Sequence, residues 1–356
     1  MKYSLPLAAI PPLVAASDSL PENFKQGARW QVEILSPLQI SNTTQKLIPD
    51  ADIWDIDLWH VKKNPDIITQ LHRLEKTVIC YMNLGAVQPE DCDFTDWYKP
   101  GSAEDKWNGP WYYDANFDPN STHNEDNRYC ERYVNFTDTA VLDLMKGRLK
   151  TARDLGCDGV DPDNIDIAGI TWGDNVEAPS PDKVADALEA LAEHAHNMIS
   201  TRGHRFLIGQ KNGADLPARL AKTLDFAVLE RCLEEGLCDK FGGYLAAGKP
   251  VIDIEYPASL QDETDETNKC NLNRKNDCDK GDEKCPCRDI SGESFKKMDR
   301  VIKLDFTDYG LNGCTQYCDS GVVVTPTDTK TRNVCDDDFG GKCSEDPKRV
   351  ENGCCK

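Results

Sequence analysis

Two acidic residues end segments of this sequence that are typical of buried strands. Asp163 closes the segment Gly159–Asp163, and Glu230 closes the apolar segment Phe226–Glu230. A carboxylate beside an apolar strand is costly to bury unless it has a partner or a chemical role. Hydrolysis of a glycosidic bond requires a pair of carboxylates, because one attacks the sugar or activates water while the other, with a raised pKa, protonates the leaving oxygen. The two residues are therefore candidates for that chemistry.

Both acids also have ordinary structural interpretations. Asp163 fits a turn cap, and Glu230 fits an ion pair with Lys211 on a neighbouring strand. Other chemistries have less support, since the sequence has no G-x-S-x-G elbow, no H-E-x-x-H and no glycine-rich nucleotide-binding motif after a strand. Cys232 and Cys238 are six residues apart, which in an exported protein favours a disulfide over a nucleophile. The sequence thus predicts no metal and no cofactor.

The elements that must position these acids alternate between short β-branched or aromatic runs and helical periodicity. Apolar residues step by three and four in Leu142–Ala152 and Val184–Met198, and Ser180 before Pro181 predicts a helix start. Eight strands with helices between them favour an α/β fold of the (β/α)8 TIM barrel type over an open doubly wound sheet. The predicted strands are Trp30–Leu35, Ala51–Leu58, Thr77–Asn83, Gly159–Asp163, Phe206–Lys211, Phe226–Glu230, Val251–Glu255 and Val301–Asp305.

In that fold the active site lies at the carboxyl ends of the strands. Because Pro162 forces Asp161 into an extended backbone, Asp161 and Asp163 are expected to project to the same side. Turn residues collect at strand ends in any case, which is the alternative explanation for roughly half of the polar residues found there. The last residues of seven predicted strands are polar or ionisable: Asp57, Asn83, Asp163, Lys211 with Asn212, Glu230, Glu255 and Asp305.

The composition indicates an exported acidic protein. The 356 residues carry 41 basic and 62 acidic side chains, a formal net charge of -21, and the mean hydropathy is -0.58. Such acidity disfavours nucleic acid and anionic lipid as partners and favours polycations. Residues 1–17 have the charged, apolar and small-residue order of a secretory signal, too short to span a bilayer. Sequons at Asn42, Asn120 and Asn135 agree, so we expect a secreted, extracellular, monomeric glycoprotein.

Cysteines divide the chain unevenly. Ten of the 16 lie between Cys270 and Cys355, which is the density of a disulfide scaffold. We therefore expect a signal at 1–17, a barrel at 18–306, and cysteine-rich, disulfide-bonded segments at 260–290 and 307–356. The role of the tail stays open between a cell-wall anchor, a binding module and a clamp on the barrel. An insertion at 84–137, rich in Trp and Tyr, is expected over the catalytic mouth, where its rings either stack on sugars or pack the loop.

Seven short motifs follow one another along residues 28–306: Trp30-Gln31-Val32, Ile56-Asp57-Leu58, Val78-Ile79-Cys80-Tyr81, Asp158-Gly159-Val160-Asp161-Pro162-Asp163-Asn164, Lys211-Asn212, Phe226-Ala227-Val228-Leu229-Glu230-Arg231-Cys232 and Ile254-Glu255-Tyr256. Together they resemble glycoside hydrolase family 114, the endo-α-1,4-polygalactosaminidases. The resemblance implies a (β/α)8 barrel with Asp163 and Glu230 as the catalytic carboxylates. By analogy with other α-glycosidase barrels, Asp163 is the nucleophile and Glu230 the acid/base of a retaining mechanism. It also implies sugar subsites lined by Asp57, Tyr81, Asn83, Asp161, Lys211, Asn212, Glu255 and Tyr256.

The sequence departs from the family pattern at a few of these positions. Asp161 stands where glutamate is expected, Leu229 and Arg231 where asparagine and glutamine are frequent, and Gly213 where aspartate is frequent. The expected activity is endo-hydrolysis of an α-1,4-linked galactosamine polysaccharide, which is cationic wherever its amines are not acetylated. The alternatives are a non-catalytic carbohydrate-binding cell-surface barrel and an α-glycosidase acting on a neutral α-galactoside.

Overall fold

The computed structural model describes residues 19–87, 91–93, 133–169, 178–256, 285–288, 295–303, 311 and 313–328. It also describes the backbone of residues 98–99, 106–107, 112–113, 132, 350–351 and 354–355. The predicted signal at 1–17, the sequon at Asn120 and the predicted strand end at Asp305 lie outside the described residues. No helix within these ranges is long and apolar enough to cross a membrane.

Eight parallel strands follow one another around the sheet in chain order, which confirms the predicted (β/α)8 barrel. Each strand lies within two residues of a predicted one at its start, and four of them match in full. The strands are β1 (Trp30–Glu33), β2 (Ile53–Asp57), β3 (Thr77–Asn83), β4 (Gly159–Asp163), β5 (Leu207–Lys211), β6 (Phe226–Glu230), β7 (Val251–Glu255) and β8 (Asp299–Ile302).

Helices occupy the connections from β2 to β7, and a 3-10 turn precedes β8 in the described part of the last connection, whereas residues 34–52 between β1 and β2 contain no helix. Ser180 caps the start of α4 by accepting a hydrogen bond from the Lys183 amide, as predicted from its place before Pro181. The helices are α1 (Leu58–Lys63), α2 (Asp66–Arg73), α3 (Thr139–Leu155), α4 (Pro181–His196), α5 (Leu220–Thr223), α6 (Cys232–Glu235) and α7 (Gly242–Ala246), with 3-10 turns at Ile167–Gly169, Cys238–Phe241 and Phe295–Lys297.

The alternation of side chains along each strand divides the core in two. Trp30, Ile53 and Phe226 belong to a cluster inside the barrel, and the Trp30 and Phe226 rings lie 5.5 Å apart. Their chain neighbours Trp54 and Ala227 belong to a larger cluster between the sheet and the helices. Because the alternation has a period of two, every second residue of a strand faces the barrel interior, and this sets which strand-end side chains reach the active site.

Two antiparallel strands continue the sheet beyond the barrel: β9 (Cys314–Tyr317) pairs with β8, and β10 (Gly321–Val324) pairs with β9. The β9 strand lies against the start of β1. The Tyr317 hydroxyl donates to the Trp30 carbonyl over 2.7 Å, and the Thr315 hydroxyl donates to the Gln31 side-chain carbonyl over 2.9 Å. Part of the cysteine-rich extension therefore packs against the junction between β8 and β1.

The insertion after β3 contains short antiparallel pairs. Ala86–Val87, Arg132–Val134 and Tyr112–Tyr113 form one small sheet, and Tyr98–Lys99 pairs with Lys106–Trp107. The side chains of the insertion's tryptophans and of tyrosines 98, 112 and 113 lie outside the described residues, so sugar stacking by these rings stays a prediction.

The described start of the insertion is anchored to helix α3. The buried guanidinium of Arg148 binds the Asp91 and Asp93 carboxylates at 2.7 Å each and donates to the Asn83 carbonyl over 2.6 Å. An ion pair of this kind ties the first residues of the insertion to the end of β3.

Disulfides join neighbouring parts of the barrel. Cys80 on β3 bonds to Cys157 just before β4, a pairing that the sequence alone does not reveal. Cys232 bonds to Cys238, which confirms the predicted disulfide beside Glu230. A third bond, Cys287–Cys318, links the described part of the segment before β8 to the turn after β9.

Candidate active site

One lysine gathers the acidic side chains at the carboxyl ends of the strands. Lys211 ends β5 and is almost fully buried, and its ammonium nitrogen lies 3.2 Å from Asp163 Oδ1 and 3.4 Å from Glu230 Oε2. Asp161 Oδ2 lies 3.9 Å from the same nitrogen, so Asp161 and Asp163 project to the same side as predicted. The ion pair with Glu230 that the sequence offered as a structural alternative is therefore present, but it is shared among three carboxylates.

The shared lysine limits the distance between Asp163 and Glu230. The two carboxylate oxygens that contact Lys211 can be no farther apart than the sum of 3.2 and 3.4 Å, which is 6.6 Å. Retaining glycosidases place their carboxyl groups about 5–5.5 Å apart, and inverting enzymes about 6.5–9.5 Å apart. The two carboxylates are thus within reach of two-carboxylate hydrolysis.

Hydrogen bonds fix the orientation of both carboxylates. The Tyr81 hydroxyl donates to Asp163 Oδ2, and the Tyr256 hydroxyl donates to Glu230 Oε1, each over 2.6 Å. The Asn212 side chain donates to Glu230 Oε2 over 2.9 Å and accepts from the Glu230 amide over 2.8 Å. Since each carboxylate has partners on both oxygens, neither is free to rotate away from the other.

The chain turns sharply after each of the three strands that carry the central residues. Asn164, Asn212 and Arg231 directly follow Asp163, Lys211 and Glu230, and all have left-handed backbone angles, with φ of 57°, 47° and 56°. Asparagine tolerates this conformation, but arginine does so at a cost, and such strain collects at functional sites. The Asn164 side chain is held by donating to Asn83 Oδ1 over 2.7 Å.

The pKa values of the acids around Lys211 differ. Burial acts to raise the pKa of Asp163, but the Lys211 charge and the hydrogen bonds from Tyr81 and Lys211 outweigh it and bring the pKa below the usual range. Burial raises the pKa of Asp161 to about 7 despite the Lys211 charge. The pKa of Lys211 lies well above its ordinary value, because the surrounding carboxylates outweigh its burial. Asp163 is therefore ionised at neutral pH, as a nucleophile must be.

Two of the residues expected to line sugar subsites serve as helix caps instead. Asp57 Oδ1 accepts from the amides of Trp59 and His60, at 2.8 Å each, and so caps helix α1. Glu255 Oε1 accepts from the Leu233 amide over 2.8 Å at the start of α6. For Glu255 the reason is the alternation of side chains along β7.

On β7 the residues on either side of Glu255, Ile254 and Tyr256, belong to the inner cluster, so Glu255 points outward to the helices. Asp57 occupies an inward-facing position of β2, but it is the last residue of the strand, and its side chain turns to accept hydrogen bonds from the free amides of α1. Tyr81, Asp161, Lys211, Asn212 and Tyr256 do contact Asp163, Glu230 or their lysine, and Asn83 contributes through Asn164.

A cleft of about 500 Å³ opens beside Glu230. Its acidic lining includes Asp166, Asp215 and Glu235, and Arg231 adds one positive charge. The last positions of the strands do not reveal these residues, because Asp166 and Asp215 lie in the loops that follow and Glu235 ends helix α6. The spacing Asp161-x-Asp163-x-x-Asp166, which the sequence does show, carries the signal for the first of them.

The Arg231 guanidinium lies 5.1 Å from the centre of the Tyr256 ring and 3.0 Å from Glu234. It is held over the tyrosine that donates to Glu230, so its charge faces the same cleft as the acids.

Comparisons with known proteins give one family match and several similar solved structures. The model of glycoside-hydrolase family GH114 matches residues 11–323. Ega3 of Aspergillus fumigatus, solved in complex with galactosamine, is 27% identical with a TM-score of 0.58, covering 85% of this chain and 100% of that one. The glycoside hydrolase domain of PelA from Pseudomonas aeruginosa is 12% identical with a TM-score of 0.46, covering 80% of this chain and 98% of that one. No curated protein sequence matches the chain.

Proposed function

The chain belongs to glycoside-hydrolase family GH114 and is a glycoside hydrolase, and from that premise we propose that it cleaves internal bonds of an α-1,4-linked galactosamine polysaccharide by a two-carboxylate mechanism. The observation that carries the mechanism is the placing of Asp163 and Glu230 on one buried ammonium, with their nearest oxygens no more than 6.6 Å apart, the sum of 3.2 and 3.4 Å. By analogy with other α-glycosidase barrels, we propose that the anomeric configuration is retained.

In the proposed first step, an Asp163 oxygen attacks the anomeric carbon while Glu230 gives its proton to the glycosidic oxygen, and the bond between that carbon and oxygen breaks. Glu230 then takes a proton from water, the water oxygen bonds to the anomeric carbon, and the Asp163 ester bond breaks. Lys211 and Tyr81 stabilise the carboxylate that is released. The Tyr256 hydroxyl and the Asn212 amide hold Glu230 in place through both steps.

Charge supports an amino sugar as the substrate. The cleft beside Glu230 carries Asp166, Asp215 and Glu235, and the whole chain has a net charge of -21. Acidic side chains in a cleft attract a polymer of unacetylated galactosamine, because its ammonium groups are positive. Ega3, to which this chain is similar, was solved with galactosamine bound.

One observation favours a second candidate substrate, a neutral α-galactoside. Arg231 brings a positive charge into the same cleft, where it opposes an ammonium group. Replacing Arg231 with glutamine should increase kcat/KM for the deacetylated polymer and leave that for the fully acetylated polymer unchanged. If the substitution favours the acetylated polymer instead, the cleft is built for a neutral sugar.

We further propose that the protein is secreted. Its disulfides suit an oxidising compartment, and residues 1–17 have the order of a signal. The sequon residue Asn42 is exposed and Asn135 half-buried, so Asn42 is the better acceptor for a glycan. Secretion from a eukaryotic host followed by glycosidase treatment should shift the mass of the parent, and the shift should be smaller in an Asn42→Gln variant.

The decisive experiment uses the purified protein and partly deacetylated α-1,4-galactosaminan. Mass spectrometry should detect released oligomers, and Asp163→Asn and Glu230→Gln should each lower the rate by about 10²–10⁴-fold. Asp299→Asn is the matched control, because Asp299 is half-buried like Asp163 and Glu230 but binds the Trp30 amide at the opposite ends of the strands. Parent-like rates in either active-site variant would refute the mechanism, and hydrolysis that ignores full acetylation of the polymer would refute the charged substrate.

A further inference from the structure

Two carboxyl groups are buried beside Lys211, and no described residue donates a hydrogen bond to either of them. Asp55 is on β2 and Asp161 is on β4, and neither is exposed to solvent. Among the described residues, none of their four side-chain oxygens accepts a conventional hydrogen bond. The two groups are near enough to interact with each other, and that interaction raises the pKa of Asp55. Two carboxylates have no donor between them, whereas a proton on one of the pair can be donated to the other.

The local charge balance requires the same proton. One ammonium group, Lys211, faces Asp55, Asp161, Asp163 and Glu230. If all four acids were ionised, the buried cluster would carry three uncompensated negative charges, which a low-dielectric interior does not tolerate.

Among the described residues, the other groups that hydrogen-bond to the cluster add no positive charge, and Arg231 in the adjacent cleft is paired with Glu234 over 3.0 Å. Tyr81 from β3 and Tyr256 after β7 are neutral donors to Asp163 and Glu230, and Asp166 from the turn after β4 is a further acid that interacts with this set. A bound proton is therefore needed to lower the negative charge.

We propose that Asp55 is a positioning residue of the active site: it shares one proton with Asp161, which leaves the Lys211 ammonium to Asp163 and Glu230. The distances agree, because Lys211 lies 3.2 and 3.4 Å from those two acids but 3.9 Å from Asp161. The structural part of this inference stands on its own, whereas its effect on catalysis rests on the proposed function.

The titration of the pair gives the inference a direction in pH. Burial is the main cause that raises the pKa of Asp55 well above the ordinary value, and the neighbouring Asp161 adds to it. The pKa of Asp161 lies at about 7, with burial again the main cause. As the pH rises through this range and the shared proton leaves, the doubly charged pair competes for Lys211. The ammonium then moves away from Asp163 and Glu230, so kcat should fall.

Infrared spectroscopy tests the shared proton without any substrate. Uniform labelling with ¹³C-aspartate identifies the C=O stretch of protonated aspartic acids and leaves the Glu230 band unshifted. The parent protein at pH 6 should show an aspartic acid band that is missing from the spectrum of the Asp55→Asn variant. The control, Asp225→Asn, removes a buried aspartate that is paired with Arg205 and His196 just before β6, away from Lys211, and should leave that band in place. Persistence of the band in Asp55→Asn would overturn the proposal.

Kinetics on galactosaminan test the positioning role. The amide introduced by Asp55→Asn can still donate to Asp161, so this variant should retain most of the parent's kcat and lose less of it above pH 7. Asp55→Ala removes the donor and should lower kcat by about 10- to 100-fold with little change in KM. Equal kcat in the two variants, at matched thermal stability, would overturn the role. If the parent itself does not cut the polymer, the proposed substrate is wrong, and the infrared result still decides the proton.

Discussion

Replacing Lys211 with methionine should destabilise the folded protein strongly at neutral pH and much less in acid. Methionine matches the lysine stem in length and leaves the strand alternation intact, so the change removes mainly the charge. Lys211 is almost fully buried and contacts three carboxylates within 4 Å. Removing one partner of a buried ion pair costs about 3–5 kcal/mol, because the other charges remain buried without compensation.

The pH dependence follows from the direction of each pKa shift. The folded pKa of Asp163 is depressed, so its contribution to stability is present above the unfolded value of about 3.9 and is lost as the pH falls through the folded pKa. The folded pKa of Lys211 is raised, so its contribution is fully present below the unfolded value of about 10.4. At pH 7 both contributions are present, and the substitution removes both. Below the folded pKa of Asp163 the carboxylates are protonated, and little is left to lose.

Urea unfolding at pH 7 and at about pH 2, with disulfides intact and followed by tryptophan fluorescence, measures this difference. Lys303→Met is the matched control. Lys303 is also buried in the barrel, but it donates to the Val32 carbonyl over 2.7 Å and lies 4.0 Å from Glu33, whose pKa burial raises to about 8.

Burial lowers the pKa of Lys303 to about 8, so its charge costs stability below that pH and its removal relieves that cost. The control should therefore lose only about 1–2 kcal/mol at pH 7 for the hydrogen bond. An equal loss at both pH values for Lys211→Met, or no loss at pH 7, would refute the reasoning.

Two further predictions concern stability away from the cleft. Arg148→Leu should cost about 3–5 kcal/mol at pH 7, because it leaves Asp91 and Asp93 beside an apolar side chain, and chemical unfolding of the variant against the parent measures it; a loss below about 1 kcal/mol would contradict the anchoring role. The double variant Cys80→Ala/Cys157→Ala should lose about 4 kcal/mol, because that disulfide closes a loop with a sequence separation of 77; an unchanged unfolding midpoint would contradict this.

The strands and their order could be predicted because each is a short apolar run bounded by turn residues. The segments Thr77–Asn83, Gly159–Asp163 and Phe226–Glu230 are observed as the sequence predicts. Their terminal residues Asp163 and Glu230 could be singled out because a carboxylate next to a buried strand needs a partner. Lys211 was predicted as a neighbour of Glu230, but its contact with Asp163 depends on β5 lying between β4 and β6 in the closed sheet.

The rest of the site could not be read from strand ends alone. Glu255 ends an apolar strand just as Glu230 does, but its side chain points outward to the helices. Which residues of β7 face inward is decided by packing and not by the sequence pattern. Asp55 lies two residues before the end of its strand, at an inward position that a reading of the alternation around Ile53 would have marked. Left-handed turns such as that at Arg231 have no sequence signal when the residue is not glycine or asparagine.

Truncating the protein at residue 306 would remove the hairpin formed by β9 and β10 and uncover the start of β1. Such a fragment would lack Thr315 and Tyr317. The side-chain carbonyl of Gln31 and the backbone carbonyl of Trp30 would then lose the hydroxyl groups that donate hydrogen bonds to them. Each buried polar group left unsatisfied costs about 1–3 kcal/mol. Shortened forms for crystallisation, grafting or fusion should therefore keep the chain through residue 328, so that β9 stays packed against the start of β1.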